Sequence, residues 1–110
     1  PVTAEMALRN SGVDAVMALG VVIRGETEHA DLVAASVTDA LQRMAVKHVV
    51  PVIHEVLLLD TEEQAEERCL GTTINRGTEA ARTTLNMVQL FKKMRQALGV
   101  ARPSTDFTED

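Results

Sequence analysis

Asp14-Ala-Val-Met-Ala-Leu-Gly-Val-Val-Ile23 is a nearly continuous apolar run, and a second one follows at Val49-Val-Pro-Val-Ile-His-Glu-Val-Leu-Leu-Leu59. Both are short and rich in β-branched residues. They read as strands buried on both faces, the pattern of a parallel sheet, where alternation of apolar and polar positions is lost. Arg24-Gly25-Glu26-Thr27-Glu28 ends the first run with turn chemistry. Between the runs, over roughly 28–46, Val33, Val37, Leu41 and Met44 recur at helical spacing and predict an amphipathic helix closed by Lys47-His48. Pro51 is expected at the start of the second strand, where a missing N–H costs least. Strand, helix and strand make a βαβ crossover, which places the two strands parallel in one sheet.

Outward from this unit the chain reads as helical. Residues 1–11 suit a short helix, with Pro1 in the first turn and Asn10-Ser11-Gly12 as the stop. Thr61 and Gln64 have capping-box spacing at the start of a helix whose first acids face its positive end. Residues 71–77 read as a loop. A last helix over 78–98 carries Ala81, Leu85, Val88, Phe91, Met94 and Leu98 on one stripe and stops at Gly99. Residues 1–100 form one domain and 101–110 a polar tail. The fold class is α/β, with helices layered on a parallel sheet. Two strands are too few to cover these helices or to be stable alone, so further strands are expected from another segment or another chain.

The composition of the 110 residues narrows the function. The chain is 45% hydrophobic and 25% charged, the balance of a globular domain, and its formal net charge of -5 argues against a nucleic-acid partner. No apolar run reaches the ~18 residues of a membrane span, so no membrane partner is expected, and no signal peptide is visible. Cys69 stands alone, which excludes an internal disulfide or a cysteine-based metal site and fits a reducing, cytoplasmic setting.

Asp14–Thr27 with His29 resembles the lumazine synthase family, whose pattern there is close to DAVIALGVVIRGETPH. The similarity continues through Pro51-Val52-Ile53, Val56-Leu57, Asp60-Thr61, Glu63-Gln64-Ala65, Glu67-Arg68, Asn75-Arg76-Gly77 and Glu79-Ala80-Ala81, covering roughly residues 1–98. GVVIRGET with His29, followed in order by EQA-x-ER and NRG-x-EAA, is a specific signature. The resemblance implies a three-layer αβα sandwich of flavodoxin-like topology around a central parallel sheet. Here it would be truncated to a helix, the βαβ unit and the C-terminal helices. Pro1 aligns with the last proline of a family loop close to PGAFEIP, so the family's first strands and that loop are expected to be missing from this chain.

The resemblance implies condensation of 5-amino-6-(D-ribitylamino)uracil with 3,4-dihydroxy-2-butanone 4-phosphate to 6,7-dimethyl-8-ribityllumazine, in riboflavin biosynthesis. It implies no metal and no organic cofactor, a homo-oligomer of pentamers that in some members builds icosahedral shells, and sites between subunits. Such chemistry needs a phosphate anchor, a platform for the uracil ring and ribityl tail, and a proton shuttle.

Gly25-Glu26-Thr27, between a strand end and a helix start, suits the anchor through backbone N–H groups and the helix dipole, with the Glu26 and Glu28 side chains turned outward. Arg68 is the phosphate-pairing arginine by resemblance, reaching across a subunit interface. Arg76 stands at the family's N-[KR]-G position, either assisting the phosphate, orienting His29 or serving as a solvated loop cation. His29, one turn into the helix, is the proton-transfer candidate because imidazole titrates near neutrality. Val21, Val22 and Ile23 are core strand residues that by resemblance also line the ring pocket. His54 replaces a family Phe and either stacks on the ring or fills space. Glu55 stands for a family Gly, Glu28 for a Pro and Thr78 for a frequent Trp. These departures keep an alternative open: a catalytically weakened relative acting as a structural oligomer or shell protein. His48 is expected to be solvated at its helix end.

Overall fold

The computed structural model describes residues 1–10 and 12–102; most of the predicted polar tail lies outside the described residues. Six elements follow in order: α1 (Val2–Asn10), β1 (Val16–Ile23), α2 (His29–His48), β2 (Val52–Leu59), α3 (Glu62–Cys69) and α4 (Arg76–Leu98). The strands pair in parallel, from Val16 opposite Val52 to Ile23 opposite Leu59. The ladder extends past both ends, with Val16 N–H donating to the Pro51 carbonyl at 2.9 Å and Arg24 N–H to that of Leu59 at 2.8 Å. Pro51 thus lies just ahead of β2 and contributes only its carbonyl, as its missing donor requires.

Side chains alternate along each strand, so even-numbered residues of β1 and β2 share one face and odd-numbered residues the other. His54 on the even face hydrogen-bonds Thr38 of α2 at 2.7 Å, which fixes that face as the α2 side. Ile53 on the odd face borders a hollow shared with Met87 and Phe91 of α4. α1 lies beside α2, tied to its last turn by Glu5, so helices cover both faces of the sheet in the predicted αβα order.

Burial is thin. Among the described residues the buried apolar side chains are Leu8, Ala30, Leu41, Met44, Pro51, Ile53, Leu59 and Ala80. The expectation that both strands are buried on both faces is corrected: in β1 no residue is buried and Leu19 is 56% exposed, and in β2 only Ile53 and Leu59, both on the odd face, are buried. The cause is the sheet's width: among the described residues β1 has a partner on one edge only. Beside that edge runs an open apolar groove of about 520 Å³ between α1 and α2, lined by Ala4, Ala7, Val16, Ala18, Val37 and Leu41 among others.

Helix ends follow local chemistry. The Thr61 hydroxyl accepts from Gln64 N–H at 3.1 Å and caps α3, as predicted, while the Gln64 side chain accepts from Asp60 N–H rather than closing on Thr61 itself. Asn75 caps α4 by accepting from Thr78 N–H at 2.9 Å, so that helix starts before the predicted 78. α2 runs on to His48, which is only 3% exposed and whose ring is bonded to Glu5, which corrects the expectation of a solvated residue. The chain leaves α2 through Val49 in the left-handed conformation (φ 53°, ψ 46°).

Candidate active site

Both strands end on the same side of the molecule, and α2 and α3 begin there. Strand ends facing helix starts form the crevice in which open α/β sheets bind ligands. Arg24–Glu28 crosses from β1 to α2 at this end. Thr27 Oγ1 accepts from His29 N–H at 3.3 Å and folds the turn onto the helix start. Glu28 occupies the N-cap without a side-chain cap bond, and Glu26 and Glu28 are both exposed, as expected. Nothing lies within 4 Å of the position a Gly25 Cβ would take, and its φ is one any residue can adopt. The chain's own packing therefore does not require glycine at 25; what glycine leaves is open space over the turn. His29 is the first residue of α2 and is exposed, nearer the turn than the predicted one turn into the helix.

Arg24 closes this end of the sheet. Its Nη1 donates to Asp60 Oδ1 at 2.9 Å and its Nε reaches Asp31 Oδ1 at 3.4 Å. The bonds to Asp60 first and Asp31 second raise the guanidinium's pKa from its ordinary value. One side chain thereby joins the exit of β1, the first turn of α2 and the exit of β2. This bridge escaped the sequence analysis, although its signal was present: each apolar run is followed at once by a charged residue, Arg24 after the first and Asp60 after the second.

Arg68 lies in the last turn of α3, half-exposed, and among the described residues nothing pairs with its guanidinium. Arg76 is corrected from a loop position to the first turn of α4, where its Nη1 pairs with Glu79 at 3.0 Å. Cys69 and Gly77, the chain neighbours of these two arginines, line a hollow of about 310 Å³ with Leu19, Val21 and Glu55. The structure thus gathers Val21 and the ends of α3 and α4 around one hollow on the odd face. Ile23 shares that face and Val22 points to the opposite one. His54 stands apart, early in β2 on the α2 face. Val56 N–H donates to its Nδ1 at 3.3 Å, so Nε2 carries the proton given to Thr38. Among the described residues no hydrogen bond or ion pair joins Arg68, Arg76 or His54 to the Gly25–His29 turn.

Among the described residues no cluster of three or more His, Cys, Asp or Glu could hold a metal ion, and no helix is long and apolar enough to cross a membrane. The fold is a layered α/β arrangement in which two parallel strands give way to helices at one end, the end at which open α/β sheets generally bind ligands.

A family model described as 6,7-dimethyl-8-ribityllumazine synthase matches residues 1–92. Proteins of that name show the same kinship. The one from Bdellovibrio bacteriovorus is 42% identical over 95 residues, covering 86% of this chain and 53% of its own length. That of Chlorobium phaeobacteroides is 41% identical over 93 residues, covering 84% and 60%. That of Aquifex aeolicus is 40% identical over 95 residues, covering 86% and 62%. The chain belongs to the 6,7-dimethyl-8-ribityllumazine synthase family. It spans between about half and three-fifths of the length of these relatives.

Proposed function

We propose that this chain carries part of a lumazine synthase site, joining 5-amino-6-(D-ribitylamino)uracil to 3,4-dihydroxy-2-butanone 4-phosphate with loss of phosphate and water. The substrate amine is the nucleophile, so no covalent bond to the protein is needed; the protein must hold the phosphate, align the ring and move protons. The observation that carries the proposal is the Gly25–His29 turn, with open space over Gly25 at the start of α2 in a chain of this family. Backbone N–H groups of the turn and the positive end of α2 suit a phosphate ester. Arg68, unpaired among the described residues, adds a guanidinium fork from a neighbouring subunit, with Arg76 assisting. His29 beside the anchor takes and returns protons during imine formation, phosphate elimination and ring closure. Val21 and Ile23 flank the ring on the odd face, Val22 packs behind them on the opposite face of the sheet, and His54 serves the pocket of an adjoining subunit.

The protein works as a homo-oligomer, a pentamer or a larger shell, in the cytoplasm. Exposed apolar side chains such as Leu70, Leu85 and Leu98 support burial against further copies. The assembled protein given both substrates should form the fluorescent lumazine, and His29→Ala should slow turnover ~100-fold or more. Unchanged turnover would remove His29 from the mechanism, and no product from the unaltered protein would remove the proposed reaction.

A further inference from the structure

Arg24, Glu26, Glu28, Asp31 and Asp60 all lie between the strand exits and the first turn of α2, one guanidinium among four carboxylates. An anion seated at Gly25–Thr27 would meet a negative rim. The two aspartates are not free, however. Arg24 reaches both through different nitrogens, Nη1 to Asp60 and Nε to Asp31. Its main chain is fixed by the last ladder bond of the sheet, to the Leu59 carbonyl. The side chain therefore leaves from a rigid point immediately ahead of Gly25 and draws in carboxylates from two elements. We propose that Arg24 is a positioning residue of the phosphate site, holding Asp31 and Asp60 onto its own guanidinium and away from the Gly25–Thr27 turn. This rests on the reading of that turn as the seat of a phosphate ester. The guanidinium fork is the reason for arginine: a lysine ammonium is a point charge and cannot present two separated donors in one plane.

The role predicts opposite signs for opposite substitutions. Arg24→Gln frees two carboxylates beside the anion, so inorganic phosphate should bind ~10-fold more weakly, a difference of about 1.4 kcal/mol. The KM for the butanone phosphate should rise in step, with kcat and the binding of a phosphate-free uracil analogue little changed. Asp60→Asn removes a carboxylate and leaves Arg24 with spare charge, so phosphate should bind ~2–3-fold more tightly, an effect that fades with added salt. Arg24→Gln combined with Asp31→Asn and Asp60→Asn should return to near the unaltered affinity.

Titration calorimetry with inorganic phosphate on the assembled protein, followed by steady-state kinetics, reads all of these. The proposal is overturned if Arg24→Gln binds phosphate within twofold of the unaltered protein. It is equally overturned if Asp60→Asn weakens binding as Arg24→Gln does, since both would then only loosen the fold. Should Arg24→Gln fail to fold, the exposed Asp31→Asn and Asp60→Asn variants decide: tighter phosphate supports the role and weaker phosphate ends it. Unaltered protein that binds phosphate with these shifts but makes no lumazine sinks the proposed reaction and leaves Arg24 its role. Protein that binds no phosphate sinks both.

Discussion

Glu5 of α1 and His48 at the end of α2 meet at 2.9 Å, Oε2 to Nε2, and His48 is buried there. Arg9 holds the other carboxylate oxygen at 2.8 Å, and Lys47 stands 3.8 Å from it. This cluster fastens α1 to the layer formed by α2. Burial by itself pushes the Glu5 carboxyl up, but the hydrogen bonds from Arg9 and His48, with their charges, outweigh it and leave the pKa lowered from 4.5.

A carboxyl whose folded pKa lies below its unfolded one stabilises the fold above the unfolded value. That stability is lost as pH falls through the folded value. Thermal unfolding should therefore show a drop in midpoint on acidification below about pH 4.5, the unshifted carboxyl value. Glu5→Gln should lower the midpoint near neutrality and flatten that acid slope. An unchanged slope in the variant would mean that other carboxyls dominate acid unfolding.

Val49 holds φ 53° and ψ 46° at the C-terminus of α2, a left-handed conformation that a β-branched residue adopts with strain. Its side chain is 58% exposed, so little burial is lost on removing it. Relief of ~1–2 kcal/mol of strain, less the added backbone entropy of glycine, predicts that Val49→Gly stabilises the protein by about 1 kcal/mol. A rise in the urea midpoint at constant slope would show it; a fall would mean that the Val49 side chain is buried in the assembly.

Gly71 sits between α3 and α4 with no room for a methyl group. A Cβ there would lie 2.5 Å from the Glu67 carbonyl oxygen and 2.7 Å from that of Ile74, both backbone atoms. Gly71→Ala should therefore cost roughly 2 kcal/mol or more, at the upper end of overpacking effects. The turn must open to admit the methyl, which shifts Arg68 relative to Arg76, so phosphate affinity should fall with stability. Denaturant unfolding beside phosphate titration checks the coupling; loss of stability with phosphate binding intact would show that the two arginines act independently.

Arg68 has no partner within the described chain, so its removal leaves no carboxylate stranded. Arg68→Ala should weaken inorganic phosphate or the butanone phosphate by about 1.5–3 kcal/mol, the worth of a charged hydrogen bond. A phosphate-free uracil analogue should bind as before. Equal losses for both ligands would make Arg68 a structural residue.

The crossover was legible because its signals are local. Two valine-rich runs flank a helix-period stretch, and the observed strands Val16–Ile23 and Val52–Leu59 fall inside them. Thr61 and Gln64 announced the cap of α3 for the same reason. Boundaries slipped where two signals competed. Gly77 reads as loop, yet the Asn75 side chain two residues earlier is the stronger helix start. Burial of β1 could not be read at all, since an apolar run looks the same whether or not a neighbouring strand covers it. At the proposed site, the choice of Gly25, Thr27, His29 and Arg68 rests on family motifs. Arg24–Asp60 and Glu5–His48 stayed hidden because each joins residues far apart in the chain, and no spacing rule spans that distance.

Val16 and Arg24 both give their N–H to β2, so the even-numbered amides of β1 point into the ladder. The amides of Met17, Leu19, Val21 and Ile23 therefore point out over the open edge. Deuterium uptake along this strand should alternate residue by residue, slow at even positions and fast at odd ones. A strand laid on that edge, from whatever segment, would erase the alternation. The isotope pattern of four amides thus reports whether the working sheet continues past β1, without any image of the assembly.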